Sequence, residues 1–152
     1  MLKPTKILVP TDFSQYSDKA LKQALDIAAE YTAKVYVLHV VHERIHSALT
    51  DDYPDISITA KEIRKLEKSI MNKARDRLNK QLDKFPESKK MPVIPIVTNG
   101  VAYEEILREQ HEKGIDLIVI SSLGKTGIAK YLIGSVARNV LKGATCSVLL
   151  TK

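Results

Sequence analysis

The chain has 152 residues, 44% hydrophobic and 28% charged, with one cysteine and a formal net charge of +6. A chain of this length buries roughly 68–70% of its unfolded surface in one core without disulfides or metal, and no segment reaches the ~20 apolar residues that a membrane helix needs. The N-terminal apolar run, Ile7 to Pro10, is too short for a signal segment, so a cytoplasmic protein with no membrane association is expected.

The positive charge is local. Residues 61–90 hold eleven Lys/Arg and five Asp/Glu, which accounts for the whole +6. Aromatic residues do not interleave with Lys61, Arg64, Lys65 or Lys68, so the stacking platform of a single-strand binder is missing. The segment reads as a solvated helix face, and nucleic acid is not an expected partner.

In chain order, Lys6–Pro10 is a short apolar run, bounded by Thr11 and Asp12, that suits a strand buried on both faces. Ser14 or Ser17 can cap the helix that follows, whose Leu21, Ala24, Leu25 and Ala28 recur at helical spacing. The β-branched run Ala33–Val41 gives a second strand. From His42 to Thr59 no apolar period survives, and Asp51–Asp55 reads as part of a solvated loop. A long helix carries Ile63, Leu66, Ile70, Ala74, Leu78, Leu82 and Phe85 along one stripe and stops at Pro86.

Met91–Val97 is a third strand whose two prolines place it at a sheet edge. Asn99-Gly100 is expected to turn into a helix with early acids Glu104 and Glu105, ended by Gly114. Asp116–Ile120 is the most apolar strand and therefore central. Ser135 is the expected N-cap of a short helix with Val136, Ala137, Val140 and Leu141 inward, and Cys146–Leu150 is the last strand. Cys146 reads as a small core residue inside that strand.

Five strands alternating with four helices predict an α/β fold over 1–152 as a single domain. Its sheet is a doubly wound, five-stranded parallel one, order 3-2-1-4-5, with helices on both faces. In such sheets ligands bind at the strand C-termini, where strand order reverses. Thr11-Asp12 and Ser121–Gly127 then face one crevice from opposite ends of the sequence. Glycines let backbone N–H groups turn onto an anion, and a helix N-terminus adds unpaired donors with a positive dipole end.

Other chemistries fail on spacing. Gly124-Lys125-Thr126 looks like the end of a P-loop, but its first glycine would have to be Val119, inside the strand. A phosphate-accepting receiver domain needs an aspartate after strand three, where Val97-Thr98-Asn99 stands. There is no G-x-S-x-G elbow, and His39, His42, His46 and His111 lack metal-ligand spacing. His39, at a strand end, reads as a rim histidine with a backbone hydrogen bond rather than a catalytic base.

Three landmarks resemble the universal stress protein family over essentially the whole chain. They are Ile7-Leu-Val-Pro-Thr-Asp-Phe-Ser14, Leu38-His-Val-Val41, and the nucleotide motif Ser121-x2-Gly124-x9-Gly134-Ser135, in which Ser121 replaces the family's first glycine. The resemblance implies an ATP-binding α/β protein, a homodimer and stress-response module; with no positioned base for water and no arginine finger in the motif, ATP turnover is expected to be slow or absent. It implies that Pro10, Thr11, Asp12 and Val40 hold adenine and ribose. Ribose and phosphates then fall to Ser121, Leu123, Gly124, Lys125, Gly127, Gly134, Ser135 and Val136, with Asp12 helping at most to hold Mg²⁺. Ser121 adds a Cβ and a hydroxyl near the expected ribose, where they crowd or bond it according to φ and χ1. The uncharged, proline-free last strand, Cys146 to Leu150, is expected to pair antiparallel with its copy in a second subunit. The alternative is a nucleotide-free protein-interaction module of the same fold.

Overall fold

The computed structural model describes residues 2–42, 58–124 and 132–152. Its elements are β1 (Lys6–Pro10), α1 (Gln15–Tyr31), β2 (Lys34–His42), α2 (Ala60–Asp83), a 3-10 turn (Pro86–Lys90), β3 (Val93–Gly100), α3 (Ala102–Lys113), β4 (Leu117–Ser121), α4 (Ser135–Gly143) and β5 (Ser147–Thr151). The strands form one sheet in the order β3-β2-β1-β4-β5, every pairing parallel. The order is the expected one. β3, with Pro95 in its ladder, lies at one edge and β5 at the other.

The register follows from burial on both faces. Ile7, Leu8 and Val9 are each wholly buried, because alternate residues of β1 face different helix layers. On one face Ile7 and Val9 join Val35, Val37 and Val119 under α1 and Leu78 of α2. On the other, Leu8 joins Leu38, Ile118 and Ile120 under Ile106 of α3 and Val140 of α4. Burying each such side chain contributes about 1.5–3 kcal/mol. The Asp116 carboxylate pins the start of β1 beside β4, accepting bonds from the Thr5 and Lys6 amides at 2.9–3.2 Å and from the Thr5 hydroxyl at 2.6 Å.

Helix ends follow local chemistry. Ser14 caps α1, its hydroxyl accepting from the Ser17 N–H at 3.2 Å, which settles the choice between the two serines. Thr59 and Glu62 form a reciprocal capping box on α2. Gly114 closes α3 in the left-handed region at φ 62°.

Several expectations are corrected. Asn99 and Gly100 are the last residues of β3, not a turn, because β2 runs on to His42 and offers them partners. The apolar stripe of α2 is buried only toward its C-terminal half, at Ala74 and Leu78, while Leu66 is 40% exposed. All three buried residues of this 24-residue helix, Ala74, Leu78 and Gln81, lie in its second half. Leu141 of α4 is 42% exposed rather than inward, since α4 presents Ala137 and Val140 to the sheet. Cys146 precedes β5 instead of lying within it and is half-buried against the α3/α4 layer. The expected loop 42–59 lies almost wholly outside the described residues.

Candidate functional site

The strand order reverses between β1 and β4, and a crevice of about 240 Å³ opens at their C-terminal ends. Pro10, Thr11, Asp12, Val40, Ser121, Leu123, Gly124, Gly134, Ser135 and Val136 all line it. Lys125 and Gly127, the other expected site residues, lie outside the described residues. Leu38, His39, Ala102, Ile106, Ile120 and Ser122 also contribute to the walls, though sequence spacing did not single them out as site residues.

Val40 marks one end. Leu38 accepts the Thr11 N–H at 2.8 Å, so it points its main-chain groups toward β1. Val40, two residues on along the strand, points the same way. β1 stops at Pro10, opposite Leu38, so the Val40 N–H and carbonyl face the crevice beyond the last strand pairing. An adjacent donor and acceptor on an apolar wall suit the edge of a planar heterocycle.

The turn after β1 forms the floor. Thr11 is 6% exposed and faces away from the crevice opening with its side chain, which bonds Gln81 Oε1 at 2.8 Å and Ser17 Oγ at 3.0 Å. Its carbonyl accepts from His39 Nδ1 at 2.8 Å. A carbonyl cannot donate, so this contact puts the proton on Nδ1, and His39 is the rim histidine with a backbone bond that its position suggests. Asp12 Oδ1 accepts the Ser14 N–H at 3.0 Å. Phe13 sits at φ 65°, a left-handed conformation that few aromatic residues adopt. Its ring is held between His39, with centroids 4.2 Å apart, and the Arg77 guanidinium at 4.3 Å.

The opposite wall is the end of β4 and the start of α4. Ser121 lies outside the left-handed region, so its side chain imposes no backbone strain, and its hydroxyl donates to the Leu123 carbonyl at 2.7 Å. The serine at this position therefore ties the start of the loop. Gly134 donates to the Ser122 carbonyl at 2.7 Å, and a Cβ on Gly134 would sit 3.3 Å from that same oxygen. A Cβ on Gly124 would lie 2.9 Å from Asp12 Oδ2. Both glycines are places where polar groups from separate segments converge on a bare backbone.

Gly134, not Ser135, is the N-cap of α4, with φ −58° and ψ 155°. Its N–H is drawn to Ser122, which fixes the extended cap there and makes Ser135 the first helical residue. No side chain among the described residues caps this end, so the first-turn N–H groups and the positive end of the helix dipole are directed at the crevice. Among the described residues no cluster of three or more His, Cys, Asp or Glu forms a metal site. Asp12 is the one acid among the described residues that line the crevice, with its Oδ2 beside Gly124.

A family model described as Universal stress protein family matches residues 4–152. The chain is 34% identical over 147 residues to Universal stress protein MJ0531 of Methanocaldococcus jannaschii, covering 97% of this chain and 81% of that protein. Protein MJ0577 of the same organism is 31% identical over 156 residues, covering 97% and 94%. The solved structure of MJ0577 superposes with a TM-score of 0.80 at 28% identity, covering 99% of this chain and 97% of that one. A universal stress protein solved in complex with cAMP shares the fold, with a TM-score of 0.62 at 22% identity and 99% coverage of both chains. With a whole-chain family match, the expected strand order and the glycine landmarks at one crevice, the chain belongs to the universal stress protein family.

Proposed function

We propose that the protein is a cytoplasmic adenine-nucleotide-binding module whose ligand is ATP. The observation that carries the reading is the pairing of two features across one crevice. The main-chain donor and acceptor of Val40 lie at one end, and the uncapped N-terminus of α4 lies beside Gly124 and Gly134 at the other. A purine edge pairs with a peptide N–H and C=O, and phosphates suit helix N-termini and bare backbone. A relative of the same fold solved with cAMP is consistent with an adenine ligand.

The crevice volume of about 240 Å³ is just under the ~300–1,000 Å³ of clefts that enclose a whole drug-sized ligand. It suits base and ribose inside, with phosphates running outward along Gly124 and Gly134. Mg²⁺, if carried in with ATP, would take its ligands from the phosphates, with Asp12 as the nearest carboxylate. Turnover is expected to be slow or absent, because the motif supplies no arginine finger and Asp12, the acid beside Gly124, is read as helping to hold Mg²⁺ rather than as a base for water.

The proposal includes a homodimer. β5 is an edge strand without proline or charge, and pairing with a second copy satisfies its outer backbone groups. Among the described residues no helix is long and apolar enough to cross a membrane.

Native mass spectrometry of freshly purified protein tests the ligand. Retained adenine nucleotide supports the reading. A bare mass that takes up no ATP, ADP or AMP at millimolar concentration favours a nucleotide-free interaction module.

A further inference from the structure

The long helix α2 grips the turn that floors the crevice, although it contributes no residue to the crevice lining. Gln81 is 3% exposed. Its Nε2 donates to Asp18 Oδ1 at 2.8 Å, and its Oε1 accepts from the Thr11 hydroxyl at 2.8 Å. The Asp18 carboxylate only accepts, which fixes the amide orientation and leaves Oε1 for Thr11. The same Thr11 oxygen accepts the Phe13 N–H at 3.1 Å. One hydroxyl thus links α2 to the peptide between Asp12 and Phe13, where the backbone enters the left-handed region. One helical turn earlier, Arg77 covers the Phe13 ring.

We infer that Gln81 is a positioning residue for the ligand site, holding Thr11 so that the strained Asp12–Phe13 turn stays in the conformation that binds nucleotide; this rests on the adenine-nucleotide reading above. A left-handed aromatic residue persists where its surroundings over-determine it. Loss of the Gln81 contact lets the turn relax, the competent fraction falls, and apparent affinity falls by the same fraction.

The test uses the full chain with Gln81→Met, which keeps length and volume and removes both polar contacts. In ligand-free ¹H–¹⁵N spectra the amides of Asp12, Phe13 and Ser14 are expected to shift or broaden. ATP affinity by calorimetry is expected to weaken roughly three- to tenfold, the size of one net hydrogen bond. In a Thr11→Val background Gln81→Met is expected to weaken binding no further, because the link is already cut. Unchanged turn amides and affinity with only a lower melting temperature overturn the inference, as do additive losses in the double variant.

If the wild-type protein binds no adenine nucleotide, the ATP reading fails while the ligand-free spectra still decide the role of Gln81. If Gln81→Met does not fold, Thr11→Ser and Thr11→Val decide it. Serine keeps the hydroxyl and is expected to keep the wild-type turn spectrum, and valine is not; identical spectra overturn the inference.

Discussion

Replacing Gly124 by alanine isolates the contact between the two halves of the crevice. Gly124 is not in the left-handed region, so alanine meets no backbone penalty. Its Cβ would lie 2.9 Å from Asp12 Oδ2, the one atom within 4 Å among the described residues. Asp12 is expected to turn away, and its other oxygen then to give up the Ser14 N–H held at 3.0 Å. A hydrogen bond to a charged group contributes about 1.5–3 kcal/mol, while alanine returns about 0.4–1 kcal/mol by restricting the unfolded chain. The net loss is about 1–2 kcal/mol. For a domain of this size that lowers the melting temperature by about 2–8 °C, read by urea and thermal unfolding. In an Asp12→Ala background the methyl meets nothing, and Gly124→Ala is expected to be neutral or to stabilise by about 0.4–1 kcal/mol. An equal cost in both backgrounds would refute the reasoning.

Ser121→Ala frees the Leu123 carbonyl from its 2.7 Å bond and is expected to weaken ATP binding roughly two- to tenfold; calorimetry giving wild-type affinity would show that the bond does not order the loop. Burial pushes the Cys146 thiol up, the nearby Asp116 carboxylate adds to this, and backbone hydrogen bonds offset part of it. Alkylation by iodoacetamide near neutral pH should therefore be slower than for a free thiol. The folded chain holds this proton more tightly than the unfolded one, so the thiol's contribution to stability is full below the unfolded thiol range and is lost as pH rises from there through the raised folded value. Ser122, just past β4, donates its N–H to the Thr151 carbonyl of β5, so Thr151, Leu149 and Ser147 direct their backbone groups at β4 while Val148 and Leu150 present theirs outward. Val148→Pro removes an outward donor and is expected to shift a dimer to monomer in chromatography with light scattering. A wild-type monomer at micromolar concentration contradicts the pairing itself.

The sheet was legible because its signals are local and redundant. Ile7–Val9 and Leu117–Ile120 are continuous apolar runs that only a doubly covered strand explains, and Pro95 marks an edge. The crevice was legible through Gly124, Gly134 and Asp12, whose residue types need close approach to other backbone. Less legible were contacts that depend on tertiary placement. Gln81 meets Thr11 across 70 residues, and its signal was a polar residue interrupting the stripe Ala74, Leu78, Leu82, Phe85. Leu66 and Leu141 fit helical periodicity, but periodicity does not report which part of a helix face its neighbours cover. Ser135 has cap chemistry, yet the pull of the Ser122 carbonyl on the Gly134 N–H moved the cap by one residue.

The most direct measurement is isothermal calorimetry of the freshly purified, nucleotide-stripped protein with ATP, with and without magnesium, run beside GTP. A base seated with its N1 at the Val40 N–H and its exocyclic amine at the Val40 carbonyl matches adenine, and guanine in that same pose would set N1–H against N–H and O6 against the carbonyl. Saturable heat for ATP, with GTP clearly weaker, is the predicted result; no heat for ATP, ADP or AMP at millimolar ligand contradicts the account.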